Sequence, residues 1–155
     1  MIRAATREEM HLVRELFLEY AASLGFSLCF QGFQQELDEL PGKYGSPDGV
    51  ILLALEQEKL AGTVALRRFD AESAEMKRLY VRPEYRGNQL GRQLAEAVLE
   101  AAKRVGYRSV KLDTVPSMKE ARALYERMGF MKIPAYYDNA ECGSICLEKQ
   151  IALEE

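Results

Sequence analysis

Between Val50 and Asp113 the chain changes its hydrophobic period twice, and this double change restricts the fold more than any other feature. Val50 to Leu55 is an apolar run of buried-strand type, Gln57-Glu58-Lys59 is a turn, and Ala61 to Phe69 is predicted as the antiparallel partner. A third strand is predicted from about Glu75 to Val81, after the polar turn Asp70-Ala71-Glu72-Ser73 and before Pro83. Then the period lengthens. Leu90, Leu94, Ala97, Val98 and Ala101 recur at helical spacing over Leu90 to Val105, Gly106 stops the helix, and Ser109 to Asp113 is again a strand. A strand, a long helix and a second strand form a crossover, which makes the two strands parallel. The expected class is therefore α/β of the mixed α+β kind: a mostly antiparallel sheet with one parallel pair and flanking helices.

The ends of the chain supply further elements. Ile2 to Ala4 is predicted as a short strand, and Thr6-Arg7-Glu8-Glu9 has the spacing of a capping box. Leu12, Val13, Leu16, Phe17, Tyr20 and Leu24 give the following helix an apolar face up to Gly25. A shorter helix is expected over Gln34 to Leu40, a further one over Ser117 to Met128, and a last strand over Gly143 to Gln150.

Composition limits the function classes. At 155 residues and 48% hydrophobic content the chain suits a single domain over residues 1–155. A net charge of -3, with basic residues in pairs rather than runs, argues against a nucleic-acid partner. No apolar stretch suggests a signal peptide or a membrane span. Three cysteines (Cys29, Cys142 and Cys146) without a paired CxxC, and one histidine (His11), make a metal site improbable. A cytoplasmic setting is expected.

The stretch Leu79-Tyr80-Val81-Arg82-Pro83-Glu84-Tyr85-Arg86-Gly87-Asn88-Gln89-Leu90-Gly91-Arg92 carries the chemistry, because it sets a glycine-containing turn between a strand and a long helix. Such a turn points free backbone amides outward with the positive end of a helix dipole behind them, which suits a phosphate or pyrophosphate. On physical grounds alone the alternatives are a phosphate-bearing ligand and an ordinary turn with a helix-packing glycine.

Val81, Pro83, Tyr85, Arg86, Gly87 and Gly91 make the run resemble the acetyl-CoA signature of the GNAT acetyltransferases. A second block, Ala121 to Phe130, resembles that family's Ala-x-x-Leu-Tyr-x-x-x-Gly-Phe segment. The resemblance implies an acetyl-CoA-dependent N-acetyltransferase that binds the pyrophosphate at Arg86, Gly87, Asn88, Gln89, Leu90, Gly91 and Arg92. It also implies that the pantetheine arm pairs with the main chain of Leu79, Tyr80 and Val81, between two splayed strands. The resemblance gives Tyr125 the role of protonating the departing thiolate, which a phenol can do at neutral pH; the alternative is a core aromatic on an amphipathic helix. Two positions depart from the pattern. Gln89 replaces the usual middle glycine, so its side chain must point away from the ligand or the backbone must shift. Met118 stands where an asparagine often contacts the cofactor.

Direct attack by a neutral amine needs a proton acceptor. Glu75 is the first candidate and Asp113 the second; the alternative for Glu75 is a solvated strand-edge charge, or one paired with Lys77 or Arg78 neighbours on other strands. His11 is read as packed or solvated, and Cys142 and Cys146 as small thiols on one face of the last strand. An acceptor pocket lined by Tyr20, Phe26, Phe30, Phe33, Tyr136 and Tyr137, with Glu36, Asp38, Glu39 and Asp138 nearby, would suit a small cationic amine; the same aromatics could be core and the same acids solvating charge. A homodimer is expected from the resemblance. The rival function is a non-catalytic acyl-CoA-binding or sensing module of the same fold.

Overall fold

Residues 1–24, 33–114, 118–136 and 145–151 are described by a computed structural model. In chain order the elements are β1 Ile2–Ala4, α1 Met10–Leu24, α2 Phe33–Asp38, β2 Val50–Glu56, β3 Lys59–Arg68 and β4 Ser73–Val81, followed by α3 Leu90–Val105, β5 Ser109–Thr114, α4 Lys119–Arg127, β6 Met131–Ile133 and β7 Ile145–Gln150. The seven strands form one sheet in the order β1-β2-β3-β4-β5-β7-β6, and β4 with β5 is its one parallel pair.

Strand alternation divides the apolar residues between the two faces of this sheet. Leu52 and Ala54 of β2, with Ala74 and Met76 of β4, join Leu94, Val98 and Tyr125 in a core beneath α3 and α4. Ile51 and Leu53 point the other way and pack with Val13, Leu16 and Phe17 of α1 and Leu37 of α2. Burial of each large apolar side chain contributes about 1.5 to 3 kcal/mol, so both layers are needed to hold the sheet.

Local chemistry accounts for the element ends. Gln57 and Glu58, at φ of 52° and 68°, form the two-residue turn between β2 and β3, whose twist matches that of the strands. Gly106 ends α3 at φ 107° with its amide on the carbonyls of Ala102 and Lys103. Ahead of α1, the Glu9 carboxylate accepts from the Thr6 amide at 2.9 Å, one half of the expected capping box. The Thr6 side chain supplies the other half, and its hydroxyl also donates to Glu9 at 3.1 Å.

Two features open the sheet. In β4 the partners run from Thr63 opposite Tyr80 to Ala65 opposite Lys77, so Arg78 and Leu79 together face Val64. This bulge, with Arg78 at φ 62°, shifts the alternation: Leu79 and Val81 turn toward α3, while Tyr80 turns toward α1. The second feature is a split. β4 and β5 pair only at Ser73 with Ser109, Ala74 with Val110 and Glu75 with Lys111, and no later pair joins them among the described residues. On its other edge all six residues of β5 pair with β7.

β6 was not anticipated from the sequence. Its three residues include Met131 at 73% exposure, and so short and exposed a strand leaves no apolar alternation to read.

Candidate active site

The split between β4 and β5 opens toward the turn that leads into α3. There the chain makes one helical turn over Pro83–Tyr85, passes through Gly87 at φ +91° and Gln89 at φ 59° and ψ 20°, and enters α3 at Leu90. The first α3 amide bonded within the chain is that of Gln93, at 3.0 Å from the Gln89 carbonyl; among the described residues, the amides of positions 87 to 92 donate to no backbone carbonyl. No side chain caps the helix, and its first turn holds no acidic residue. Uncapped amides at the positive end of a sixteen-residue helix suit an anion.

The predicted binding residues fall around this point. Leu90 is buried and anchors the helix, while Arg86, Gly87, Asn88 and Gln89 are exposed and Arg92 is half-buried. The Arg86 guanidinium donates from Nε to the Val81 carbonyl at 2.9 Å and lies 5.7 Å over the Tyr80 ring. Gly91 is not required by packing, since a Cβ there would meet nothing closer than Val81 at 3.9 Å. Gln89 resolves the departure from the family pattern in backbone terms. It adopts the left-handed conformation that glycine takes freely, which costs an L-residue about 1 to 2 kcal/mol.

On α4, Tyr125 is 6% exposed and packs beside Phe130 at 5.7 Å between ring centroids. Burial pushes its phenol pKa well above the usual tyrosine range, with the nearby Tyr20 and Asp113 adding to the shift. Its hydroxyl makes no hydrogen bond among the described residues. The Thr114 hydroxyl, at the end of β5, is buried and also has no partner among them. A buried orphan hydroxyl costs about 1 to 3 kcal/mol, so one at the mouth of a gap between strands fits a polar ligand entering that gap. Sequence reasoning missed Thr114; its position at the end of the parallel strand was the available signal.

Glu75 is fully buried and held by charge, which excludes a solvated strand edge. Arg67 reaches its Oε1 through Nε at 2.9 Å and Nη2 at 2.8 Å, the Tyr136 hydroxyl donates to Oε2 at 3.0 Å, and Lys77 lies 3.7 Å away. Lys77 also meets Asp113 across the split at 3.3 Å. Arg78, released by the bulge, forks onto Glu36 at 2.9 Å twice and faces the rings of Tyr20 and Phe33.

The acidic residues expected to attract a cationic acceptor are thus engaged within the chain: Glu36 with Arg78, Asp38 with Arg14 at 3.2 Å, and Glu39 with Gln35 at 3.0 Å. His11 is exposed, its ring nitrogen 3.0 Å from the Glu8 carbonyl, and Cys146 is a buried thiol on β7. Phe26, Phe30, Tyr137, Asp138, Cys29 and Cys142 lie outside the described residues.

Residues 11–130 match the acetyltransferase (GNAT) family. The chain belongs to that family. An uncharacterized N-acetyltransferase of Schizosaccharomyces pombe is 40% identical over 126 residues, covering 80% of this chain and 77% of the relative. One from Escherichia coli is 30% identical over 127 residues, covering 79% and 74%. The GNAT fold extends to solved structures. An acetyltransferase from Streptococcus agalactiae superposes with a TM-score of 0.80 at 27% identity, covering 97% of this chain and 98% of that one. The Thermoplasma acidophilum PaiA N-acetyltransferase, solved in complex with coenzyme A, gives 0.75 at 21% identity over 97% and 98%. The mixed sheet with one parallel pair, and the acyltransferase class of this GNAT enzyme, agree with the expectations from sequence.

Proposed function

We propose that this GNAT enzyme moves an acetyl group from acetyl-CoA to a small-molecule amine by direct attack. The observation that carries the reading is the three-residue parallel pairing of β4 and β5, which ends beside a helix N-terminus whose amides are open. The amides of residues 87 to 92, with Arg86 and Arg92, would hold the pyrophosphate. The main chain of Leu79, Tyr80 and Val81 would pair with the pantetheine arm in the split.

The acceptor amine would approach from the face of α1 and α2, where Tyr20 and Phe33 wall Arg78; an enclosure of rings favours a small amine over a protein surface. Its nitrogen attacks the thioester carbonyl, the new C–N bond forms, the C–S bond breaks, and the thiolate takes a proton from Tyr125. Glu75 would take the amine proton through the Tyr136 hydroxyl or a water, because its Oε1 is already committed to Arg67.

The test is amine-dependent release of free thiol from acetyl-CoA, over a panel of polyamines, aminoglycosides, amino acids and peptides, with wild type and Tyr125→Phe. Release that depends on one amine class and falls sharply in the variant supports the reading. Acetyl-CoA binding without turnover on any amine would make the protein a sensing module instead.

A further inference from the structure

The register of the parallel pair shows where the split closes. Ser73 faces Ser109 and Glu75 faces Lys111, and the same offset carried two residues on sets Lys77 opposite Asp113. There the backbones no longer pair. The side chains do, Lys77 Nζ to Asp113 Oδ1 at 3.3 Å, with the two side chains 13% and 24% exposed. One residue later comes the bulge at Arg78, which turns β4 away.

A ligand arm anchored at the turn after Val81 and running back along β4 covers about 13 Å before it reaches Lys77, at about 3.3 Å per residue. It then meets this ion pair as an end wall. The wall is held firmly: Lys77 also lies 3.7 Å from Glu75, which Arg67 and Tyr136 fix in place. Displacing the lysine separates two partly buried charges, an unfavourable change where water is scarce.

We propose that the Lys77–Asp113 ion pair sets the length of acyl group this enzyme accepts. The inference rests on the reading that an acyl-CoA arm lies in the split, and it adds a selecting element that the family's common chemistry does not require. Acetyl ends short of the pair; each further methylene pushes against it. A methylene that does not fit a closed pocket lowers kcat/KM by roughly tenfold or more.

The experiment titrates free CoA, acetyl-CoA, propionyl-CoA and butyryl-CoA into wild type, Asp113→Ala and Lys77→Ala by calorimetry, with kcat/KM for each thioester alongside. Wild type should bind butyryl-CoA at least about tenfold more weakly than acetyl-CoA, while either variant narrows that ratio to about threefold and keeps its affinity for free CoA. Retained CoA affinity also reports that the variant is folded, and two variants from opposite sides of the pair guard against loss of one. Wild type that binds the three thioesters equally, or folded variants that keep the acetyl preference, would overturn this inference and leave the parent reading intact. Wild type that binds neither CoA nor any thioester would overturn both.

Discussion

Arg82 donates to both carboxylate oxygens of Glu19, at 3.0 and 2.7 Å, and so fastens α1 to the residue where β4 passes into the turn. Its Nη2 also reaches Glu15 at 3.0 Å, and its Nη1 the Leu60 carbonyl at 3.2 Å. Partly exposed ion pairs contribute about 0.5 to 1 kcal/mol, so Glu19→Ala should lower stability by about that much. Arg82→Ala, which also frees a carbonyl, should cost roughly 2 kcal/mol. Urea unfolding of both variants measures the difference; equal losses would show that the Glu15 and Leu60 contacts contribute nothing.

The left-handed Gln89 gives a second prediction. Gln89→Gly relieves its strain and should raise stability by about 0.5 to 1 kcal/mol, after the added freedom of glycine in the unfolded chain is subtracted. Gln89→Ala keeps the strained conformation and should show no gain. Chemical denaturation of the two variants in parallel separates these outcomes.

On the proposal that Tyr125 protonates the thiolate, Tyr125→Phe should reduce kcat by roughly 10² or more while leaving binding of acetyl-CoA nearly unchanged. Burial holds the phenol proton above the ordinary tyrosine range near 10. The ratio of wild-type to variant kcat should therefore stay constant from pH 7 to about 10. A ratio that falls toward one below about pH 9 would mean that the phenol loses its proton early.

Much of this site was legible in the sequence because each part follows from local chemistry. The turn was marked by Gly87 and Gly91, the long helix by its apolar spacing, and the parallel pair by the crossover. The bulge was not, since the positive φ of Arg78 answers to tertiary packing rather than to any preference of arginine. Arg67 as the partner of Glu75 was equally hidden, because cross-strand partners depend on the register that the β3–β4 turn sets. β7 read as a strand, but nothing local showed that it would lie between β5 and β6.

Glu75 and Arg67 predict an asymmetry. Arg67→Met leaves a fully buried carboxylate with one fewer cation and should destabilise the protein by about 3 kcal/mol. Glu75→Gln keeps the shape and a hydrogen-bonding group for Tyr136, and should be milder. Thermal melting of both variants tests the order, and the reverse order would mean that Tyr136 and Lys77, rather than Arg67, hold the carboxylate.

Acid stability should depend on Glu9. Its fork from Arg3, at 2.7 Å twice, and the Thr6 amide lower its pKa from 4.5 to about 2. A depressed carboxylate adds stability that is complete above its unfolded pKa and lost as pH falls through its folded one. Wild type should lose this contribution between about pH 4.5 and 2, and Glu9→Gln should lack it at every pH. Unfolding curves collected at pH 7, 4 and 2.5 should converge for the two proteins at the acid end; a constant gap would place the effect elsewhere.

The pairing of β5 with β7 has a consequence for how the molecule is made. Thirty residues lie between the end of β5 at Thr114 and the start of β7 at Ile145, so on a ribosome β5 emerges well before the strand that pairs with its far edge. Until then its outer edge is bare. The meander and the crossover helix can form early, but the far half of the sheet is among the last parts completed.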